Sequence, residues 1–199
     1  MKKALVLLLL ICFACQEETP KKDLDFTTIF ETSNGTETAT YQQTIQFYKD
    51  LAQTYVEIEI DSIGTTDSGK PLHFVTLNPK QSDKNTISLL INNGIHPGES
   101  DGIDATMLLF RDIANGKTEA PKHTKLVTIP IYNVGGSLNR NSTTRTNQNG
   151  PKSYGFRGNA RNYDLNRDFI KCDTENAKSF TQLFHLVNPE VFIDNHVSN

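Results

Sequence analysis

Tryptophan is absent from the 199 residues, and the chain holds only two methionines and three cysteines. Thiols this few cannot staple a small disulfide-built scaffold, so the core has to come from aliphatic, Phe and Tyr packing. A basic excess is missing as well: 20 Lys and Arg stand against 23 Asp and Glu, for a formal net charge of −3. No electrostatic field for nucleic acid follows from that balance. The one long apolar run, Ala4 to Cys15, is too short to span a bilayer comfortably. What remains is 36% hydrophobic and 22% charged, the composition of a soluble globular protein with room for one domain. No internal repeat is visible.

The apolar run has a direction. "MKKALVLLLLICFAC" opens with Lys2 and Lys3, continues without a polar face, and ends on Ala14-Cys15 before the polar "QEETPKK". A positive start followed by an apolar stretch of this length is an export signal. Its small residue before a cysteine resembles a bacterial lipoprotein signal, which implies cleavage behind Ala14 and acylation of Cys15. The expected location is the bacterial cell envelope, with the membrane touched through the lipid anchor only. Cys12 would be removed and Cys172 left alone, so no intramolecular disulfide is expected. Residues 16–38 are polar and rich in Glu, Lys and Thr, which reads as a flexible tether. The domain is expected over 39–199.

Within it, Ile45, Tyr48, Leu51 and Tyr55 recur at helical spacing. "VEIEIDSIG" alternates with period two, and "TTDSGKPLHFVTL" reads as a turn and a returning strand. "NTISLLINN" is a continuous apolar run, as in a strand buried on both faces. Ile103, Met107, Phe110 and Ala114 form a helical stripe that Ser100 or Asp101 can cap. "KLVTIPIYN", "TENAKSFTQLFHLVN" and "EVFIDNH" follow as strand, helix and strand. Strands alternating with helices after an initial hairpin predict an α/β fold, a mixed sheet flanked by helices. In such sheets ligand groups gather beyond the carboxyl ends of strands.

Two strand ends carry unusual chemistry. "NNGIHPGESDG" places His96 and Glu99 three apart around Pro-Gly, and "FIDNH" ends on His196. Two imidazoles and a carboxylate are the donor set of a catalytic zinc site with a fourth position open. A second cluster, "YGFRGNARNYDLNRDF", carries Arg157, Arg161, Asp164, Asn166 and Arg167.

The order "HPGES", strand, "R…DLNRDF", helix, "FIDNH" resembles the zinc carboxypeptidase family that includes carboxypeptidase A, from about Tyr41 to the end. "IGTTDSGKPLHFVTL" resembles the paired strands before that family's first metal motif, and "YNVGG" sits where members often show Asn-Pro-Asp-Gly. The resemblance implies Zn2+ held by His96, Glu99 and His196. It implies Asn166 and Arg167 as the pair that holds a peptide's free C-terminal carboxylate, a task suited to a guanidinium fork. It implies Asp164 as the hydrogen-bond partner of the first histidine, and Arg157 as the arginine facing the developing oxyanion, with Arg140, Arg145 and Arg161 as rivals. His73, His123 and His185 match no motif. The implied activity is hydrolysis of C-terminal residues from peptides. Related folds deacylate small amino-acid derivatives or cut cell-wall peptides with the same "DLNR", and a non-catalytic zinc-binding envelope protein is a further reading. Family members continue past the second histidine with strands and helices that carry a base glutamate and a tyrosine. The expectation is therefore an incomplete domain, the N-terminal portion of a larger enzyme, inactive alone and with an unpaired apolar edge at Val191 to Asp194.

Overall fold

The computed structural model describes residues 25–79 and 83–197. The signal segment 1–15 with Cys15, and the start of the 16–38 segment, lie outside the described residues. In chain order the elements are α1 (Ile29–Thr32), α2 (Tyr41–Thr54), β1 (Ile58–Ile63), β2 (Leu72–Leu77), β3 (Ile87–Asn92), α3 (Asp101–Ala114), β4 (Thr124–Ile129) and α4 (Val134–Leu138). A two-residue pair follows, β5 (Arg140–Asn141) with β6 (Tyr154–Gly155), then a 3-10 turn at Leu165–Arg167, α5 (Glu175–Val187) and β7 (Val191–Asp194).

Five strands form one mixed sheet in the order β1-β2-β4-β3-β7. β1, β2 and β4 pair antiparallel, while β3 runs parallel to both β4 and β7. The alternation of the strands sorts their side chains into two cores. Val75, Leu77 and Leu126 join Ile45, Tyr48, Leu51, Met107 and Phe110 under α2 and α3. Leu72, Leu90, Val127 and Ile129 face the other way, onto Phe180, Leu183 and Val187 of α5. Helices on both faces leave the carboxyl ends of the parallel strands as the place where loops can open.

Caps set the helix ends. Thr40 and Gln43 form a capping box on α2, and the Thr174 hydroxyl accepts from the Ala177 amide on α5. At α3 the N-cap is Ser100, but its side chain makes no capping hydrogen bond, contrary to the sequence expectation. Ser100 is buried in the site loop, and its backbone is already helical there.

Residues 25–38, read from composition as part of a flexible tether, are instead seated on the domain. Phe26 and Ile29 pack against the α2/α3 core, and Thr28 with Glu31 makes a capping box on α1. Arg111 of α3 donates to the Phe26 carbonyl at 3.0 Å and pairs with Glu31 Oε2 at 2.6 Å. A few anchors embedded in polar sequence outweighed the composition.

Candidate metal centre

β3 ends on Asn92, and the chain turns at Gly94, where φ is +65°. Asn93 is wholly buried and ties this turn to its neighbours: its Nδ2 donates to Thr128 Oγ1, and its Oδ1 accepts from Thr106 and Asn195. The loop so held carries His96 and Glu99, both buried. β7 runs parallel beside β3 and delivers His196 two residues past its end. The sheet register thus joins two segments about a hundred residues apart.

One donor atom each from His96, Glu99 and His196 lies within 4.8 Å of the others. His96 Nδ1 faces Glu99 Oε1 at 3.1 Å, and His196 Nδ1 faces Glu99 Oε2 at 3.3 Å. The two rings stand edge to face with centroids 5.3 Å apart. The far nitrogens are occupied as well: His96 Nε2 meets Asp164 Oδ1 at 3.0 Å, and His196 Nε2 meets Asp194 Oδ2 at 2.8 Å. Carboxylates stand at both nitrogens of each ring, so the neighbours decide. Arg157 Nη1 donates toward His96 Nδ1 at 3.4 Å, and the His196 contact is shorter at Nε2 (2.8 Å) than at Nδ1 (3.3 Å), which assigns the single proton of each neutral ring to Nε2. Both Nδ1 lone pairs then point at the Glu99 carboxylate. Three lone-pair donors facing one another repel unless a cation lies among them, so the donor set fits a divalent metal such as zinc.

Burial pushes the Glu99 carboxyl up, but the Val197 amide, the two histidines and Arg145 outweigh it and hold it below the usual range. Burial acts on Asp164 in the same sense, and hydrogen bonds from His96 and Arg157 reverse it. Both groups are thereby ionised at neutral pH.

Two arginines reach this cluster. Arg157 donates through Nε and Nη2 to Asp164 Oδ2 at 3.2 and 2.9 Å, and its Nη1 is 3.4 Å from His96 Nδ1. Arg145 Nη2 lies 3.2 Å from Glu99 Oε1. The other two arginines weighed from sequence are elsewhere: Arg140 donates to the carbonyls of Thr38, Ala39 and Ser153, and Arg161 stacks on Tyr163 near Asp67. Asn133 fixes the arginine loop to the histidine loop, since its Nδ2 donates to the carbonyls of Ile95 and Arg157. A Cβ at Gly135 or Gly136 would collide with the backbone of Ala160 or Phe156, which explains the paired glycines of "YNVGG".

Asp164 caps the 3-10 turn that presents Asn166 and Arg167. Arg167 is exposed, and among the described residues no carboxylate pairs with it; its Nη1 donates to the Asn166 carbonyl. Its side chain lines a cleft of about 390 Å³ with Asp164, Arg161 and Tyr163. His73, bonded to the Tyr41 hydroxyl, His123, beside Asp83, and His185, against Phe184, stay outside the cluster. Cys172 has no disulfide partner among the described residues and rests on the Phe169 carbonyl and Thr181. Asp194 and Asn133 were not singled out from sequence. Asp194 had a signal in the Asp-x-His spacing, because residues two apart share a side where the chain stays extended past a strand end.

The family described as zinc carboxypeptidase (Peptidase M14) matches residues 44–188, most of the chain. The chain belongs to the zinc carboxypeptidase family. Solved structures with its fold include a metallo-carboxypeptidase from Burkholderia cenocepacia, at 18% identity and TM-score 0.64, covering 80% of this chain and 41% of that one. Bovine thrombin-activatable fibrinolysis inhibitor, solved with tick carboxypeptidase inhibitor, is similar at 16% identity and TM-score 0.62, covering 81% and 61%. The carboxypeptidase A of Helicoverpa armigera matches at 12% identity and TM-score 0.59, covering 94% and 50%. Identities this low speak for the fold, and the chain spans less than two thirds of each of these structures. No curated protein matches it in sequence.

Proposed function

We propose that this zinc carboxypeptidase-family chain supplies the metal-binding part of a metallocarboxypeptidase that removes C-terminal residues from peptides. The observation that carries the reading is the convergence of His96, Glu99 and His196 within 4.8 Å, both Nδ1 atoms facing Glu99 and both Nε2 atoms met by other carboxylates. His96, Glu99 and His196 would hold the ion, which when bound supplies Lewis acidity toward a carbonyl and acidifies water. Asp164 keeps the His96 ring in its tautomer. Arg157, beside the His96 ring, meets the charge that develops on the scissile carbonyl oxygen. Arg167, paired with no carboxylate among the described residues, and Asn166 grip the terminal carboxylate. Lipid anchoring through Cys15 would place the protein in the bacterial envelope.

The test is metal analysis of the purified chain and of His96→Ala, Glu99→Ala and His196→Ala. One equivalent of zinc is expected in the parent and little in each variant, because three protein ligands leave no redundancy. Full occupancy in His196→Ala would sink the assignment. Comparing free-acid peptides with N-acyl amino acids, in a protein that turns over, separates the peptidase from a deacylase of the same fold. Palmitate labelling that survives Cys15→Ser would remove the anchor.

A further inference from the structure

Besides Glu99, two carboxylates are aimed at imidazole nitrogens in this cluster, and they are held differently. Asp164 belongs to the arginine loop. Asp194 ends β7, directly across the parallel ladder from Asn92 at the end of β3. Asn92 is wholly buried, and its Nδ2 donates to Asp194 Oδ1 at 2.9 Å. The other oxygen, Oδ2, faces His196 Nε2 at 2.8 Å. Beyond the ring, Nδ1 faces Glu99. A continuous set of contacts therefore runs from the sheet interior through Asp194 to the triad.

The polarity of this set follows from what each group can do. Asp194 accepts from both sides, so Asn92 must turn its amide nitrogen inward, and the 2.8 Å contact to Asp194, shorter than the 3.3 Å contact to Glu99, draws the ring proton to His196 Nε2. Asn92 Oδ1 consequently has no hydrogen-bond partner among the described residues. The two imidazoles also differ in how packing holds them. The His96 side chain is 2% exposed and is locked by its surroundings, whereas that of His196 is 32% exposed. A ring that open can turn unless a hydrogen bond directs it.

We propose that Asp194, aimed by Asn92, is the positioning residue that fixes the Nε2–H tautomer and the direction of His196. The role rests on His196 being a metal ligand. Two donors converge on Asp194, and only a carboxylate can accept from both. Asparagine in its place would offer one carbonyl and one NH2 group. If the carbonyl serves Asn92, the NH2 points at His196 Nε2 and selects the opposite tautomer, with the proton on Nδ1 where the metal should bind. Alanine removes the guide without imposing the wrong one. The isosteric substitution should therefore harm metal binding more than the one that deletes the side chain, an order that a packing role would reverse.

The experiment uses the 199-residue chain with 15N-labelled histidine, stripped of metal, at neutral pH. NMR nitrogen shifts report the tautomer of His196, assigned by its loss in His196→Ala, and competition with a chromophoric chelator reports zinc affinity. Asp194→Asn is expected to convert His196 to the Nδ1–H form and to weaken zinc by roughly 10–100-fold. Asp194→Ala should show mixed tautomers and a smaller loss, and Asp164→Asn should leave the His196 signal unchanged. Retention of the Nε2–H signature and of parental zinc affinity in Asp194→Asn would overturn the proposal alone. So would a greater zinc loss in Asp194→Ala than in Asp194→Asn. Parental zinc affinity in His196→Ala would overturn the metal reading itself, and the proposal with it.

Discussion

Arg167 is the residue whose chemistry is easiest to isolate. Its neighbours Asp164 and Asp168 are both committed elsewhere, Asp164 to His96 and Arg157, Asp168 to the Asp173 amide and to the amide and hydroxyl of Thr174. A structural ion pair for Arg167 is therefore ruled out among the described residues. In a version of the enzyme that turns over, Arg167→Ala should lower kcat/KM on free-acid peptides by about 10²-fold, the value of a lost charge-assisted pair of about 3 kcal/mol. Peptide amides should be affected far less. An equal loss on both would return the residue to a structural job. The sequence motif exposed this residue because "DLNRDF" is a local pattern. Arg145, brought beside Glu99 from a loop with no such pattern, could be listed from sequence only as one of several arginines.

At the scale of elements, two ionisable contacts join α3 to the segment before α2, and they respond to pH in opposite ways. Arg111 holds Glu31 down to about 2 from an ordinary 4.5, with the Thr28 amide and hydroxyl helping. A depressed folded pKa gives stability that is present above the unfolded value and lost as pH falls from about 4.5 toward 2. Arg111→Ala should cost about 1–2 kcal/mol at pH 7, kept low by the exposure of Glu31. Its difference from the parent should narrow across that acidic window in thermal melts, and residues 25–38 should become susceptible to protease. Asp104, one turn into α3, behaves in reverse. Burial pushes it up to about 6, helped by Asp101 and opposed by Thr38, the Ala39 amide and Arg140. A raised carboxyl destabilises the fold above its folded pKa, and the penalty shrinks as pH falls from about 6 toward 4. Asp104→Asn should therefore raise stability at pH 7 by up to about 3 kcal/mol, two pKa units of difference. The gain should vanish near pH 4; a variant less stable than the parent at pH 7 would show that Asp104 is needed as a charge.

The molecule as a whole has an open side. β7 pairs with β3 alone among the described residues, and Val191, Phe192 and Ile193 along it are 40%, 39% and 40% exposed. An apolar edge strand in this state invites pairing with other polypeptide. The carboxylates in or against the triad, Glu99, Asp164 and Asp194, each face an imidazole nitrogen. None of them is free to take a proton from water and pass it to a leaving amine. The 199-residue chain is therefore expected to bind zinc yet to hydrolyse free-acid peptides at least about 10²–10⁴-fold more slowly than a metallocarboxypeptidase with a free base, the usual worth of general acid–base help. Zinc-dependent turnover at the faster rate would mean that one of these three carboxylates, or another in the chain, serves as the base.

Period-two alternation, continuous apolar runs and helical spacing were sufficient for the helices α2, α3 and α5 and for the five strands of the main sheet, because burial of one or both faces writes itself into consecutive residues. His96 and Glu99 could be named together because they lie in one short loop, and Asp164, Asn166 and Arg167 were named through the resemblance that the local pattern "DLNRDF" carries. Composition misled over residues 25–38, where Phe26, Ile29 and Glu31 dock through partners on α2 and α3 that lie up to 85 residues away. His196 could be named from sequence, but its meeting with Glu99 depends on the parallel register that sets Asn92 opposite Asp194. That register also decides which strand is left at the edge and which carboxylate guides which imidazole. Local patterns record what a residue's neighbours in the chain require; contacts made across a sheet depend on strand order and register, which no single segment encodes.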